Sequence, residues 1–247
     1  MSKILILQMR PEDVAADSEF EAILRVGGIP ASDVDRIRVE EHADVRIDLE
    51  KYCAIIAGGS PFDVSKDEKL KDPVQKGVEE FFSHLFDQLI KADFPFLGAC
   101  SGNGLLGRYC GTPISGKYSE DIGSAMVTMT EEGRKDPLLL GLPDSFEAMV
   151  GHKEACDNVP EGSVLLLTSK NCPVQMFRLK ENIYATQFHP EADADEFIIR
   201  VKTYMHSGYF APERAEELIG NIRKIDTPEP KKILRRFVKR YGRFTSD

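Results

Sequence analysis

Short, continuously apolar runs alternate along this chain with stretches whose apolar positions recur every three or four residues. Residues 4–7, 53–57 and 94–97 have the composition of strands buried on both faces of a parallel sheet. Between the last two runs, eight apolar side chains predict one long amphipathic helix. They are Val74, Val78, Phe81, Phe82, Leu85, Phe86, Leu89 and Ile90. Strands that alternate with helices predict an α/β fold around a right-handed parallel sheet.

A shorter helix is predicted directly after the first strand. We expect it to begin after Asp17 and Ser18, to bury Phe20, Ile23 and Leu24, and to stop at residues 27–28, which are both glycine. Further along, short strand candidates should extend or flank the sheet. These candidates are residues 125–130, 163–168, 174–177 and 183–187.

Two helix candidates, residues 212–223 and 230–241, follow Gly208. We therefore expect a main domain over residues 1–208 and a C-terminal helical extension over residues 209–247. The last helix combines an apolar stripe with six basic residues. We interpret it as a helix docked on an acidic body rather than a nucleic-acid or membrane surface.

The composition fits one globular domain, with 247 residues of which 42% are hydrophobic and 30% charged. A net charge of -9 repels phosphates, so we expect small molecules or proteins as partners and neither nucleic acid nor membrane. No apolar run reaches the roughly 18 residues that span a bilayer, which predicts a cytoplasmic protein. Five scattered cysteines without a Cys-x-x-Cys pair, and scattered histidines, predict no disulfide framework, no metal and no cofactor.

The strongest chemical signal is Gly98-Ala99-Cys100-Ser101-Gly102, which follows an apolar strand and precedes a helix candidate. This is the pattern of a nucleophile elbow, with cysteine in the place of serine. A sharp strand-to-helix turn would present the Cys100 sulfur at the carboxyl end of the strand, and flanking glycines relieve crowding there. The positive end of a helix dipole lowers a thiol pKa, so we expect a reactive thiolate at this position.

A base for this thiol is predicted at the end of another strand candidate. His189 and Glu191 lie two residues apart, with Pro190 between them favouring extended backbone. In extended backbone both side chains lie on the same side of the chain, so the carboxylate can orient the imidazole and stabilise its protonated form. We therefore predict a catalytic triad of Cys100, His189 and Glu191.

An oxyanion hole needs backbone N–H groups aimed where negative charge develops. The turn that contains Gly58 and Gly59 follows a neighbouring buried strand and suits this role. We expect the N–H groups of Gly59 and Ser101 to converge on the carbonyl oxygen of a bound amide. The alternative is that the glycines form a plain turn.

Taken in order, these motifs resemble the class I glutamine amidotransferases, especially the amidotransferase domain of GMP synthase. The resemblance covers residues 4–207. It is carried by residues 58–61, 98–102, 120–123, 151–152 and 189–191. It implies a doubly wound, flavodoxin-like sheet and hydrolysis of the glutamine side-chain amide through a γ-glutamyl thioester on Cys100.

The resemblance also implies a binding site for the amino-acid end of the substrate, which is glutamine or a related γ-glutamyl compound. We assign this site to Gly58, Gly104, Val150 and Gly151. The chain departs from the family at Asn103 and Gly104, where a bulky residue or histidine and then glutamine are usual. That departure puts specificity for glutamine in question.

No phosphate-binding loop of the Gly-x-x-x-x-Gly-Lys kind is present, so ammonia would leave for an ammonia-accepting synthetase partner, or the enzyme would act alone. One alternative is a γ-glutamyl peptide hydrolase. Another is a catalytically silent regulatory or binding subunit with the same fold. A cysteine α/β-hydrolase is disfavoured because that fold places its acid before the histidine, whereas Glu191 follows His189.

Overall fold

The structure is a computed structural model that describes residues 2–242. Its helices are α1 (Asp13–Gly27), α2 (Pro73–Ala92), α3 (Ser101–Tyr109), α4 (Ala194–Thr203), α5 (Ala215–Ile222) and α6 (Pro228–Tyr241). Its strands are β1 (Lys3–Gln8), β2 (Val34–Arg38), β3 (Tyr52–Ala57), β4 (Phe96–Ala99), β5 (Ile114–Ser115), β6 (Glu120–Met129), β7 (Ser145–His152), β8 (Ala155–Cys156), β9 (Ser163–Ser169), β10 (Met176–Leu179) and β11 (Ile183–Thr186).

Nine of these strands form one sheet in the order β2-β1-β3-β4-β11-β10-β9-β6-β7. The first five strands are parallel and have the flavodoxin-like order, which confirms the predicted α/β fold. The last four join through antiparallel pairings and extend the sheet. The two remaining strands, β5 and β8, pair with each other as a short ribbon.

Helices cover both faces of the sheet because the side chains of each buried strand alternate between two apolar layers. Ile4 and Ile6 of β1 belong to the layer that contains α1 and α6. Leu5 and Leu7 belong to the opposite layer, beneath α2 and α3. A third apolar cluster joins α4 and α5 beside β7. The sheet is therefore wound on both faces, as expected.

The predicted start of the first helix was wrong, because α1 begins at Asp13 rather than after Ser18. Its buried face includes Ala15 and Ala16, small residues that a pattern of large apolar side chains does not register. Strand β2 was not predicted either. It lies at the edge of the sheet, is only partly buried, and reads as a charged segment.

The last helix, α6, is docked as predicted and is part of the main core. Ile233, Leu234, Phe237 and Val238 are buried in the layer that also holds the β1 and α1 side chains. The division at residue 208 stays a prediction, and residues 243–247 of the predicted extension lie outside the described residues. Among the helices that the structure describes, none has the length and apolar character needed to cross a membrane.

Candidate active site

The predicted nucleophile Cys100 lies between β4 and α3 in a strained backbone conformation, with φ 53° and ψ −99°. Such a positive φ is costly for a residue with a side chain and occurs where the surroundings fix it. The Cys100 N–H is held by the Thr186 carbonyl oxygen at 2.8 Å. A Cβ at Gly98 would lie 2.9 Å from the Gly102 carbonyl carbon, so strand and helix can meet this closely only with glycine here. The chain thus forms the predicted elbow.

His189 and Glu191 form a buried pair just after β11. His189 Nδ1 lies 2.7 Å from Glu191 Oε1, and both side chains are almost fully buried. Because an ionised carboxylate only accepts hydrogen bonds, Nδ1 carries the proton and Nε2 is left as the base. The backbone N–H of His189 donates to the Met149 carbonyl oxygen at 3.0 Å, and the imidazole ring of His189 packs edge-on against the Phe197 ring. The imidazole is therefore fixed in position and tautomer.

Arg200 of α4 holds the carboxylate of this pair from the other side. Its Nη2 donates to Glu191 Oε1 at 2.8 Å, the same oxygen that accepts from His189. Its Nε donates to Glu196, one helical turn earlier on α4. The pKa of Glu191 is lowered well below its usual range because His189 and Arg200 outweigh the effect of burial. Glu191 is thus fixed as an anion.

A second arginine, Arg10, follows β1 and meets the fully buried carboxylate of Glu19. Arg10 Nε donates to Glu19 Oε1 at 2.9 Å, and the Gly59 N–H donates to the same oxygen at 3.2 Å. Gly58 packs against this carboxylate as well, since a Cβ there would lie 2.3 Å from Glu19 Oε2. The predicted oxyanion donor, the Gly59 N–H, is therefore already occupied. Its role requires this hydrogen bond to break, and it stays a prediction.

Ser101 connects the elbow to the glycine turn. Its Oγ accepts hydrogen bonds from the Ser60 N–H and the Ser60 hydroxyl, each at 2.8 Å. Ser101 is also the first residue of α3, whose first backbone N–H groups have no partner within the helix. This end of the helix favours negative charge. The predicted oxyanion role of the Ser101 N–H fits this position.

The expected thiolate is not supported by the surroundings of Cys100. Burial raises the pKa of Cys100 to about 11, although Arg10 and Arg200 oppose this shift. Burial, together with Arg200, lowers the pKa of His189 to about 4 despite the Glu191 carboxylate. Both shifts favour the uncharged form of each group at neutral pH. The expectation was wrong because removal from water outweighs the favourable helix end.

Cys100 and His189 line one cavity, which has two lobes. The Ser101 lobe is lined by Phe62, Asp63, Ser101, Gly104, His152, Lys153, Glu154 and Gln187. The His189 lobe is lined by Arg10, Ile122, His189, Phe197, Arg200 and Tyr204. Cys100, Ser60, Gly151 and Tyr209 line both lobes. The predicted nucleophile, Cys100, therefore lies where the lobes meet.

The structure brings two of the four predicted substrate-binding residues, Gly104 and Gly151, to this cavity. Gly58 is instead packed against Glu19, and the Val150 side chain lies in the core. Neither residue lines the cavity with a side chain, so a contact of Gly58 or Val150 with substrate would be made by the backbone, and it stays a prediction. A side chain at Gly104 would have room, since a Cβ there meets only a Val64 methyl group at 3.8 Å.

Several residues of the site carry no sequence motif. Arg10 lies two residues after β1, and its position at the carboxyl end of a central strand was the one available signal. Glu196 and Arg200 have the spacing of a helical ion pair, a common surface feature. Tyr209 belongs to the segment after α4, and nothing in the sequence connects it with Cys100.

Among residues 2–242, two groups of side chains have atoms close enough to hold a metal ion. In the first, His152 Nε2 is hydrogen-bonded to Glu120 and His152 Nδ1 to the Glu154 carbonyl oxygen. The second group consists of Glu19, His189 and Glu191, whose carboxylates are held by Arg10 and Arg200. Since protein hydrogen bonds already engage these ligand atoms, neither group is an open metal site. The absence of a metal stays a prediction.

The flavodoxin-like sheet, the cysteine elbow and the buried His–Glu pair together define a protein of the class I amidotransferase type. Its sequence matches the profile of the family described as "Glutamine amidotransferase class-I" over residues 16–200. The chain belongs to this family.

Two relatives illustrate the match. A glutamine-hydrolyzing GMP synthase from Caldicellulosiruptor saccharolyticus is 28% identical over 192 residues, which cover 70% of this chain and 36% of that protein. A protein from Sulfurisphaera tokodaii, named as one of the subunits of a glutamine-hydrolyzing GMP synthase, is 30% identical over 155 residues, covering 62% of this chain and 74% of that protein. The matched region thus spans about a third of the length of the first relative.

Solved structures support the fold. A glutamine amidotransferase from Thermotoga maritima superimposes with a TM-score of 0.73 at 20% identity, covering 98% of this chain and 99% of that one. A glutamine amido transferase from Methylobacillus flagellatus superimposes with a TM-score of 0.71 at 16% identity, covering 100% of this chain and 98% of that one. At such low identity these comparisons establish the architecture alone.

Proposed function

We propose that this protein is a cysteine amidohydrolase that cleaves the side-chain amide of glutamine, or a related γ-glutamyl bond, through a γ-glutamyl thioester on Cys100. The observation that carries this proposal is that the strained Cys100 elbow and the buried His189–Glu191 pair line one cavity. A nucleophile, a base and a group that orients the base are what acyl transfer by a thiol requires.

In the proposed reaction, the Cys100 sulfur attacks the amide carbonyl carbon while its proton passes to His189 Nε2. The imidazolium that forms is stabilised by Glu191, which Arg200 holds in place. Negative charge that develops on the carbonyl oxygen is met by the Ser101 N–H at the start of α3. His189 then returns the proton to the leaving amine, and the C–N bond breaks to leave the thioester.

The second half of the reaction uses water. His189 accepts a proton from a water molecule, which attacks the thioester carbonyl carbon. The C–S bond breaks, the sulfur takes the proton back from His189, and glutamate is released. Because Cys100 and His189 both start uncharged and end uncharged, no free thiolate is needed at rest.

The Ser101 lobe suits the amino-acid end of the substrate. A γ-glutamyl group carries an ammonium and a carboxylate, and this lobe offers Lys153 together with the carboxylates of Asp63 and Glu154. The backbone of Gly151 lies beside them. Gly104 leaves open the space that a glutamine side chain fills in other members of the family, so we propose that the substrate or water occupies it.

The fate of the amine depends on partners. The Sulfurisphaera tokodaii relative is named as part of a larger enzyme, and the Caldicellulosiruptor saccharolyticus relative is much longer than this chain. These relatives support an ammonia-accepting synthetase as partner. A stand-alone hydrolase, for which no acceptor is needed, is the second candidate, and the lining of the His189 lobe favours it for the reason given below.

The test follows ammonia and glutamate during incubation with L-glutamine and, separately, with γ-glutamyl peptides. We expect glutamate release by the wild type and none by Cys100→Ala, whereas Cys110→Ala, which changes a partly buried cysteine outside the cavity, should remain active. A glutamine-analogue electrophile should label one cysteine per chain, and Cys100→Ala should abolish that label. Absence of turnover and of labelling would instead establish a catalytically silent subunit.

A further inference from the structure

The His189 lobe carries two arginines whose hydrogen-bonding capacity is only partly used. Arg10 is 4% exposed and Arg200 is 6% exposed, and both line the lobe. Arg200 Nη1 is buried without a hydrogen-bond partner among residues 2–242. A buried donor without a partner is costly, and a guanidinium prefers a planar anion such as a carboxylate.

The terminal nitrogens of Arg10 also make few hydrogen bonds. Its Nε is bound to Glu19, and its Nη1 makes one long contact of 3.4 Å with the Tyr204 hydroxyl. Within the described part of the chain, its Nη2 donates to no acceptor. That nitrogen lies 2.6 Å from the position a Cβ would take at Gly59, and His189 Cε1 lies 3.0 Å from the same position. The free end of Arg10 is therefore next to the catalytic imidazole.

The proton transfer from His189 to the leaving amine indicates which part of the substrate lies in this lobe. His189 must give its proton to the leaving amine, so the amine departs on the side of the cavity that His189 lines. The acyl group then belongs to the opposite, Ser101 lobe. An enzyme that releases only ammonia has no anion to bind on the departing side, and a pair of arginines there would have no use in substrate recognition.

We infer that the His189 lobe is a binding site for a carboxylate carried by the leaving amine, held by Arg10 and Arg200. The substrate class is therefore a γ-glutamyl amino acid or peptide, with glutamine as a poorer donor. This inference rests on the proposed thioester chemistry. The rings of Phe197, Tyr204 and Tyr209 line the lobe beside the two arginines. Apolar surroundings of this kind lower the local dielectric constant and strengthen a charge-assisted hydrogen bond.

The charges of the neighbouring carboxylates allow such an anion to bind. Glu19 and Glu191 balance the two arginines, and burial raises the pKa of the third acid, Glu196, to about 7. At neutral pH Glu196 is partly protonated, and a bound carboxylate favours its protonated form further. The cluster can therefore take up one negative charge by binding one proton.

The test compares two donors that differ in one group. γ-Glutamylglycine releases an amine with a carboxylate, and γ-glutamylmethylamide releases an amine without one. We expect kcat/KM of the wild type to favour γ-glutamylglycine by roughly tenfold to hundredfold, the range expected for one hydrogen bond to a charged group. Arg10→Met should lower this ratio severalfold, with Arg200 accounting for what remains, while Lys153→Met, which removes a cation from the Ser101 lobe, should preserve it.

The wild-type ratio decides the question even where Arg10→Met fails to fold. Equal kcat/KM values for the two donors, with both cleaved, would overturn the carboxylate site and keep the proposed function. Cleavage of L-glutamine but of neither donor would likewise overturn the carboxylate site and keep the proposed function. Cleavage of neither donor and of no L-glutamine would overturn the proposed function. In that case, calorimetry on Cys100→Ala protein still tests the site, because tighter binding of γ-glutamylglycine than of γ-glutamylmethylamide supports it and equal binding refutes it.

Discussion

Cys100 combines two properties that oppose each other at rest. Its backbone is strained so that the sulfur faces the cavity, yet burial holds the thiol in its neutral form. His189 is uncharged for the same reason. In the proposed mechanism, proton transfer between them is coupled to attack on a bound substrate, and we expect Cys100 to react slowly with other electrophiles.

Alkylation of Cys100 by iodoacetamide tests this resting state. With a thiol pKa of about 11, the rate constant should rise about tenfold per pH unit between about pH 7 and pH 10, following the small thiolate fraction. Mass spectrometry of wild type and Cys100→Ala identifies the modified site. A plateau in rate near neutral pH would instead reveal a thiolate–imidazolium pair.

Glu196 makes stability depend on pH. In the folded protein its pKa is raised to about 7 from a usual value near 4.5, so the folded state binds a proton that the unfolded chain has lost. The contribution of Glu196 to stability is therefore present at low pH and is lost as pH rises toward and above 7. Glu196→Gln removes this dependence. The unfolding free energy of the variant minus that of the wild type should therefore be larger at about pH 8 than at about pH 5, by on the order of 2 kcal/mol.

Urea unfolding at both pH values measures the difference. Glu147→Gln, which neutralises an exposed carboxylate on β7, serves as the matched control and should follow the wild type. Parallel curves for Glu196→Gln and the wild type would show that Glu196 is ionised in the folded protein throughout this range.

The site residues that could be predicted from the sequence are those that belong to a short, recognisable motif. Cys100 lies in a glycine-bounded turn, and His189 and Glu191 are close in sequence, so short motifs were enough to predict the elbow and the His189–Glu191 hydrogen bond. Arg10 and Glu19 come from the first strand and the first helix and meet the site only through the fold. Their ion pair has no sequence spacing to reveal it, and its effect on Gly59 could not be foreseen.

At the scale of elements, the junction of β4 and α3 depends on close backbone contact. Gly98→Ala would place a Cβ 2.9 Å from the Gly102 carbonyl carbon, an atom that cannot move without disturbing the elbow. We expect a loss of about 1–3 kcal/mol in unfolding free energy, together with reduced activity. Gly220→Ala in α5 is the control, because no atom lies within 4 Å of the added methyl group and alanine favours a helix by about 0.5–1 kcal/mol. Equal stability of the two variants would contradict this account of the junction.

The strands buried on both faces were predicted well because their runs are apolar throughout. Long helix α2 was predicted for a similar reason, since its buried face uses large side chains at regular spacing. Strands β2 and β7 were missed. They are the two edge strands of the sheet, and at an edge one side of the strand is unpaired and polar residues are tolerated. Edge position is a property of the assembled sheet and is not encoded in the segment alone.

At the scale of the whole molecule, α6 stabilises the same core as the first strand. Phe237 is fully buried, and its ring packs against those of Tyr184 and Tyr241. Phe237→Ala should lower the unfolding free energy by about 3–5 kcal/mol, whereas Lys239→Ala on the exposed side of α6 should change it by less than about 0.5 kcal/mol. Chemical denaturation measures both. A small effect of Phe237→Ala would mean that residues beyond 208 form an independent extension.

The cavity itself is assembled from distant parts of the chain. Arg10 follows the first strand, Cys100 lies near the middle, and Tyr209 follows α4. Any contiguous fragment that contains all three groups must include residues 10–209. Truncation into this range is therefore expected to abolish activity even where the shorter piece remains folded.

The position of α6 in the core also bears on how the protein is made. A growing chain leaves the ribosome from its first residues onward, and β1 and α1 are exposed long before α6 has been synthesised. Until α6 emerges, the apolar surface that it covers on α1 and the sheet stays open to solvent and to other nascent chains. Molecular chaperones that shield such surfaces would therefore act on this protein late in translation, and stalled translation before α6 would yield an aggregation-prone product.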